Sequence, residues 1–242
     1  MCGRFSLTTD PEILAEHFDL AEVPDLEPRY NIAPTQDVAV VRETARRPDG
    51  RAGGQTEVVG RRLVMMRWGL LPASESNRAV GAPLINARSE TVMDKPSFRE
   101  AFRHRRCLVL ADGFFEWQLV DGRKQPIYFK LPDHTPFAFA GIWERWTASD
   151  GHAMESCAIL TTQPNDLVRP VHDRMPVILN AHAHHSWLTV SSDRARDLLP
   201  LLGPYPDEMQ CHPVSPTVNS AANESPECVR PYQLGTQGDL FA

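Results

Sequence analysis

The second residue of the chain is a cysteine, in the opening run MCGRF. Any cysteine supplies a thiol, but a cysteine at the end of a chain also supplies a free amine. Removal of Met1 would leave both nucleophiles on adjacent carbons of Cys2. The competing reading is a small buried side chain at the start of a strand, because free cysteine is among the most buried residue types. Three further stretches carry polar groups that a core seldom hosts. PLINARSET at 83–91 sets Asn86 and Arg88 two apart, on one side of an extended chain. ADGFFEW at 111–117 embeds Glu116 among Phe114, Phe115 and Trp117, company that raises a carboxyl pKa or demands a partner. PVHDRMPVIL at 170–179 puts His172, Asp173 and Arg174 between prolines, ahead of an apolar strand. Singly, each has a bland explanation: a turn asparagine, a surface glutamate paired with an arginine, a hydrogen-bonded loop histidine.

The elements that must position these residues are mostly strands. Thr9-Asp10-Pro11-Glu12 starts a helix, with a capping side chain before a proline at its first position. VAVV at 38–41 and VVGRRLVMMRW at 58–68 predict a long hairpin around a polar, glycine- and arginine-rich tip. PSFREAFRHRR at 96–106 predicts a short amphipathic helix with Phe98, Ala101 and Phe102 inward. CLVLA, GFFEW, PIYFKL, PFAFAGIW and MESCAILTT read as strands, and AHAHHSWL and DRARDLLPLL as helices. Strands and helices do not alternate strictly, which excludes a doubly wound parallel sheet. The pattern is one β-rich α+β domain, with a polar, proline-rich C-terminal tail that wraps the surface or is loose.

Bulk properties narrow the class. The chain has 242 residues, 42% of them hydrophobic, enough for a substantial core. No run reaches the length of a membrane span and no leader precedes the first polar residues, so a cytoplasmic protein is expected. The five cysteines (Cys2, Cys107, Cys157, Cys211, Cys228) are scattered and form no CxxC pair, which argues against a disulfide framework or a zinc knuckle. His182, His184 and His185 lack a partner carboxylate or cysteine at helical spacing and read as a solvated helix face. No metal and no cofactor is expected. The net charge of −6 does not advertise a nucleic-acid binder, yet it leaves room for a local basic groove.

In combination the segments become specific. MCGRF, RYNIAPTQ, RWGLLP, NARSET, RRCLVLADGFFEWQ, HDRMPVIL and HPVS with a following Val218-Asn219 occur in the order seen in the SRAP (SOS response-associated peptidase) family. The resemblance runs from Cys2 to about Asn219. It implies a compact, β-rich, barrel-like domain over residues 2–220 flanked by helices, followed by an extended or disordered tail at 221–242. It also implies a sensor and shield of abasic sites in single-stranded DNA, joined covalently to the abasic sugar through the terminal cysteine. The chain matches the family at Cys2, Asn86, Glu116 and His172. One stretch departs from the family: ASESNRAV, after WGLLP, lacks the further aromatics that relatives often carry. This leaves Trp68 as the expected base-stacking wedge.

The chemistry suits those atoms. An abasic deoxyribose opens to an aldehyde, which an amine converts to an imine. A thiol on the adjacent carbon then closes a five-membered thiazolidine, a step favoured by proximity. Reference pKa values of about 7.7–8.0 for an α-amine and about 8.5 for a thiol put both partly in nucleophilic form near neutrality. In this reading Glu116 relays a proton, His172 is the general acid/base for ring opening, and Asn86 holds the Cys2 end and the sugar. Arg4, Arg88 and Arg174 would hold flanking phosphates, with Pro34, Thr35 and Thr161 in the cleft wall. Two rival readings use the same residues: a cysteine peptidase built on Cys2, His172 and Asn86, and a non-covalent single-strand-binding adaptor. The expected partner is single-stranded DNA, bound by a monomer that would be nucleoid-associated on DNA. The C-terminal Gln237, Asp239, Leu240 and Phe241 also resemble a peptide that docks on the bacterial sliding clamp, although Gly238 departs from its usual apolar second residue.

Overall fold

The structure is a computed structural model that describes residues 2–46, 58–72, 83–147 and 151–233. The hairpin tip, the ASESNRAV stretch and the tail with Gln237, Asp239, Leu240 and Phe241 lie outside the described residues. In chain order the elements are β1 (Phe5–Leu7), α1 (Pro11–Phe18), β2 (Arg29–Ile32), β3 (Asp37–Arg46), β4 (Val58–Trp68) and β5 (Asn86–Arg88). Then come α2 (Pro96–His104), β6 (Arg106–Ala111), β7 (Gly113–Val120), β8 (Arg123–Lys130), β9 (Phe137–Thr147) and β10 (Ala153–Thr162). The short β11 (Met175–Pro176) and β12 (Ile178–Leu179), α3 (Ala181–Thr189) and β13 (Gln210–Pro213) complete the set.

The apolar runs predicted as strands close on themselves. β3 and β4 form the long hairpin, in register from Asp37↔Arg67 to Arg46↔Val58. β3 pairs with β6, β6 with β9 and β9 with β10. β10 then returns to β4 through a parallel pairing at Ser156↔Arg67 and Cys157↔Trp68. The result is a five-stranded barrel, β4–β3–β6–β9–β10, which hides the strand edges that an open sheet would expose. Aromatic rings fill the core, with Phe5 set edge-on against Trp68 at 5.1 Å and against Phe139 at 5.6 Å. A second, antiparallel sheet, β13–β8–β7–β1–β2, carries the N-terminal strand near its middle.

The helices behave as their sequences dictate, with exceptions. Asp10 caps α1 by accepting the Glu12 N–H at 2.8 Å, and Asp19 ends it in the left-handed region. α2 turns Ala101 and Phe102 inward, and Phe102 meets Trp187 of α3 edge-on at 5.8 Å. Buried Arg106 donates to the carbonyls of Phe102 and Arg103 at the end of α2, and to Trp187 and Val190 at the end of α3. One guanidinium therefore satisfies the orphan carbonyls of two helices. The run Ser192–Leu202, expected as an α-helix, is a 3₁₀ segment; Pro200 inside it cannot donate a backbone hydrogen bond. His184, expected on a solvated face, is buried against Phe18 and bonds the Leu179 carbonyl at 3.2 Å. No described helix is long and apolar enough to cross a membrane.

Residues 221–233 belong to the stretch expected as an extended or disordered tail. They pack on the second sheet. Cys228 is buried with Phe115, Tyr128, Val214 and Val218, and the Tyr232 N–H donates to the Pro213 carbonyl at 2.8 Å. Glu224 accepts from the Arg29 side chain at 2.9 Å and from the Asn31 N–H at 3.0 Å.

Asp112, at the corner between β6 and β7, ties down the chain end. Its buried carboxylate accepts from Ser6 Oγ at 2.6 Å, Thr8 Oγ1 at 2.8 Å, Thr9 N at 2.9 Å and Thr9 Oγ1 at 3.1 Å, and also from the Thr8 N–H. Hydrogen bonds to a charged acceptor are the stronger kind. Asp112→Asn keeps the shape but turns an N–H toward these donors. The variant is expected to lose about 2 kcal/mol of stability or more in chemical denaturation, with faster amide exchange at Thr8 and Thr9. Gly203→Ala, where an added methyl meets nothing within 4 Å, should leave both unchanged.

Candidate active site

Four elements converge on Cys2. The segment preceding β1 is held by β7, through the Phe115 N–H donating to the Arg4 carbonyl at 3.0 Å and the Phe5↔Phe114 pairing. Cys2 is fully buried, its Sγ 3.9 Å from the Arg4 carbonyl oxygen. Asn86 opens β5, which runs parallel to β10 in the register Asn86↔Ile159, Arg88↔Thr161. Its Nδ2 donates to the Cys2 carbonyl at 2.8 Å. Its buried Oδ1 has no hydrogen-bond partner among the described residues, so an acceptor stands open in the site. Buried polar atoms are normally satisfied, so an open one is a reason to expect a ligand there.

Glu116 sits on β7, its side chain only 3% exposed, with Oε2 3.9 Å from Nε2 of His172. Burial pushes its carboxyl up to about 7, and the Asp173 charge acts in the same direction. Burial likewise lowers the His172 pKa. The other ring nitrogen, Nδ1, accepts the Arg174 N–H at 3.0 Å and also lies 3.2 Å from the Arg174 carbonyl and 3.1 Å from an Asp173 carboxylate oxygen. The donor suits a neutral ring and the two acceptors suit a charged one, so this turn supports His172 in either protonation state.

The thiol differs from expectation. Burial drives the Cys2 pKa far above its ordinary value, and the Glu116 charge adds to the effect. Cys2 therefore keeps its proton at neutral pH rather than standing partly as thiolate.

Trp68 is corrected, and Arg4 and Arg174 have partners within the protein. Trp68 is fully buried and offers no face to a base. It instead ties two parts of the site together. Its indole N–H donates to the Ile85 carbonyl at 2.9 Å, next to Asn86, and its carbonyl accepts the Thr35 N–H at 2.8 Å. Through the second bond it anchors the turn bearing half-buried Pro34 and exposed Thr35, where Thr35 takes the left-handed φ of 72° that a β-branched residue rarely adopts. Arg4 does not reach for solvent: its Nη1 donates to Asn31 Oδ1 and the Val218 carbonyl, both at 2.7 Å, with the guanidinium 5.9 Å from the Trp117 ring centre. Arg174 is taken up by Glu90, which accepts from Nη1 at 2.7 Å and Nη2 at 2.9 Å, and by the carbonyl of buried Thr161 at 2.6 Å. Arg88 remains exposed. No cluster of histidine, cysteine and acidic side chains among the described residues could hold a metal.

Sequence reasoning missed two residues that shape this site, Asp112 and Glu90. Both lie inside quoted motifs, ADGFFEW and NARSET, and the Asp-Gly pair at 112–113 carried only the signal of a turn.

The raised Glu116 pKa has a consequence for stability. A folded pKa above the unfolded value of about 4.4 means that the folded protein binds the proton more tightly. The resulting stabilisation is complete below the unfolded pKa and is lost as pH rises through about 7. Glu116→Gln cannot ionise and escapes that loss. Relative to the unmodified protein, the variant should gain up to about 3 kcal/mol on going from pH 4 to pH 8.5, read as a pH-dependent difference in urea midpoints. An equal difference at both pH values would contradict the assignment.

The chain has relatives in sequence and in structure. The sequence profile described as "SOS response associated peptidase (SRAP)" matches residues 1–221. The protein named abasic site processing protein YoqW of Bacillus subtilis is 38% identical over 237 residues, covering 96% of this chain and all of that one. The mouse protein named abasic site processing protein HMCES is 33% identical over 203 residues, 71% of this chain and 57% of its own length. A crystal structure of a Bordetella bronchiseptica protein, 29% identical, superposes with a TM-score of 0.71 over 88% of this chain and all of its own. A Bacteroides thetaiotaomicron crystal structure shares the fold at 23% identity, with a TM-score of 0.76 over 96% of this chain and all of its own. With a profile match over most of its length and relatives at this level of identity, the chain belongs to the SRAP family.

Proposed function

We propose that this protein senses and shields abasic sites in single-stranded DNA by forming a thiazolidine through the amine and thiol of Cys2, once Met1 is removed. The observation that carries this reading is the buried Cys2, whose carbonyl is held by Asn86, near a buried carboxyl, Glu116, that lies 3.9 Å from His172.

His172 takes and returns protons as the sugar ring opens to the aldehyde. The Cys2 amine adds to that aldehyde carbon. A C–N bond forms, the oxygen leaves as water with two protons, and an imine results. The S–H then adds across C=N. Sulfur bonds carbon, and the thiol proton travels by way of the Glu116 carboxyl to nitrogen. A thiol held in its protonated form suits this step, because the imine nitrogen needs the proton that sulfur gives up. The open Oδ1 of Asn86 accepts from a sugar hydroxyl, and exposed Arg88 holds a flanking phosphate. Reversal of the imine gives release, and β-elimination from it gives strand-cleaving lyase activity. For the tail, the sequence of residues 237–241 supports docking on a sliding clamp.

The test is the intact mass of the protein mixed with an abasic single-stranded oligonucleotide. The expected product is protein lacking Met1 plus oligonucleotide minus one water. Cys2→Ser should give no stable adduct, yet should still be trapped by borohydride as the reduced imine. A stable adduct from Cys2→Ser would overturn the thiazolidine. Strand binding without any adduct from processed protein would favour an adaptor, and cleavage of peptides with no need of DNA would favour a peptidase.

A further inference from the structure

The mechanism above gives Glu90 no task, yet Glu90 makes the best-formed ion pair near the site. Both its carboxylate oxygens engage both terminal nitrogens of Arg174, a fork-on-fork geometry. The Arg174 side chain is 12% exposed and the Glu90 side chain 42%, so the arginine end of the pair is the shielded one. Arg174 also donates to the Thr161 carbonyl, which accepts the Ser89 N–H at 2.9 Å. Glu90 lies two residues beyond the end of β5, the strand that Asn86 opens. Arg174 lies two residues beyond His172 and donates its backbone N–H to that ring. The pair thus bridges the segment that holds Asn86 and the turn that holds His172.

We propose that Glu90 is a positioning residue, which acts through Arg174 to hold the His172 ring against Glu116. The proposal rests on the reading of His172 as the general acid/base. The physical argument concerns the turn. His172 sits in an irregular segment between Val171 and β11, with no ladder of its own to fix it. Its backbone N–H donates to the Val168 carbonyl at 3.0 Å, its ring is placed by the Arg174 backbone, and that backbone is held by the pairing of Met175 with Thr162 on one side and by what grips the guanidinium. Without Glu90, Arg174 keeps only the Thr161 oxygens, and the ring loses its fixed distance to Glu116. Small misplacements of a proton-transferring group are costly in rate.

Among the described residues the groups facing His172 include Glu116 from β7, and Asp173 and Arg174 from its own turn; the charge of the chain's amino terminus also lowers its pKa. Loosening the turn relieves the burial that lowers the ring's pKa and weakens the Arg174 hydrogen bond that raises it, so the titration registers the loss of the fixed geometry.

Two measurements on full-length protein test the proposal. The first needs no DNA: proton NMR titration of the His172 imidazole. In Glu90→Gln the His172 pKa should move from its position in the unmodified protein, and Glu90→Asp should restore most of that position. An unchanged titration would overturn the proposal, whatever the protein does to DNA. The second is a double-mutant cycle on the rate of adduct formation with abasic single-stranded DNA. Glu90→Gln should slow the reaction about tenfold or more, while the double variant Glu90→Gln/His172→Ala should be no slower than His172→Ala alone. Additive losses, or tighter binding of intact single strands at an unchanged rate, would show that Glu90 acts on the fold or on phosphate attraction and would overturn the proposal. Loss of adduct formation in the unmodified protein would instead count against the thiazolidine reading, leaving the NMR result to judge Glu90.

Discussion

A reactive chain end is a contradiction in ordinary protein architecture, because termini fray. This molecule resolves it by building its first strand into the interior of a sheet. β1 lies between β2 and β7, and the Asp112 carboxylate gathers donors from Ser6, Thr8 and Thr9 just beyond it. Phe5 then locks the strand to the barrel by packing between Trp68 and Phe139. With residues 4 to 9 fixed, Cys2 has almost no freedom left, and the Asn86 bond to its carbonyl removes more. The proximity advantage of a thiol beside an amine is realised only if the pair stays put, so this anchoring is the condition for everything in the pocket.

Burial has a second effect, which is electrostatic. The same desolvation that orders Cys2 raises both its thiol pKa and the Glu116 carboxyl pKa. A protonated thiol alone is a poor nucleophile. In the proposed reaction, a protonated thiol next to a carboxyl raised toward neutrality would supply both the sulfur and the proton that the imine nitrogen requires. Glu116 holds this position at a cost in stability above neutral pH, which is how a functional group departs from what the fold alone would select.

How much of this was legible in the sequence depends on the kind of interaction. Apolar runs such as CLVLA and FAFAGI declared strands, because alternation and β-propensity are local properties. Asp10-Pro11 declared the start of α1 for the same reason. Cys2, Asn86, Glu116 and His172 stood out as polar groups in unsuitable company, and the structure brings Cys2 to Asn86 and Glu116 to His172. Closure of the barrel through the parallel β4–β10 pairing is a non-local fact, and nothing in either strand announces it. The binding residues fared worst. Trp68 was expected to stack on a base because the resemblance left it as the one aromatic of that stretch, but its position against Phe5 goes with full burial. Arg174 looked like a phosphate ligand because no sequence pattern reveals that Glu90, more than eighty positions earlier, takes both its terminal nitrogens. The tail from 221 to 233 is polar and proline-rich, yet Cys228 and the Tyr232 backbone pin it to the second sheet.

The central claim is that one carbon of the abasic sugar ends bonded to both the nitrogen and the sulfur of Cys2. The direct measurement is a carbon-13 NMR spectrum of the purified adduct, formed between DNA labelled at the aldehyde carbon of the abasic sugar and protein uniformly labelled with nitrogen-15. The account predicts a single saturated carbon resonance, coupled to the Cys2 nitrogen and shifted by an attached sulfur. A stable product whose labelled carbon is unsaturated, or is bonded to sulfur without nitrogen, would contradict it.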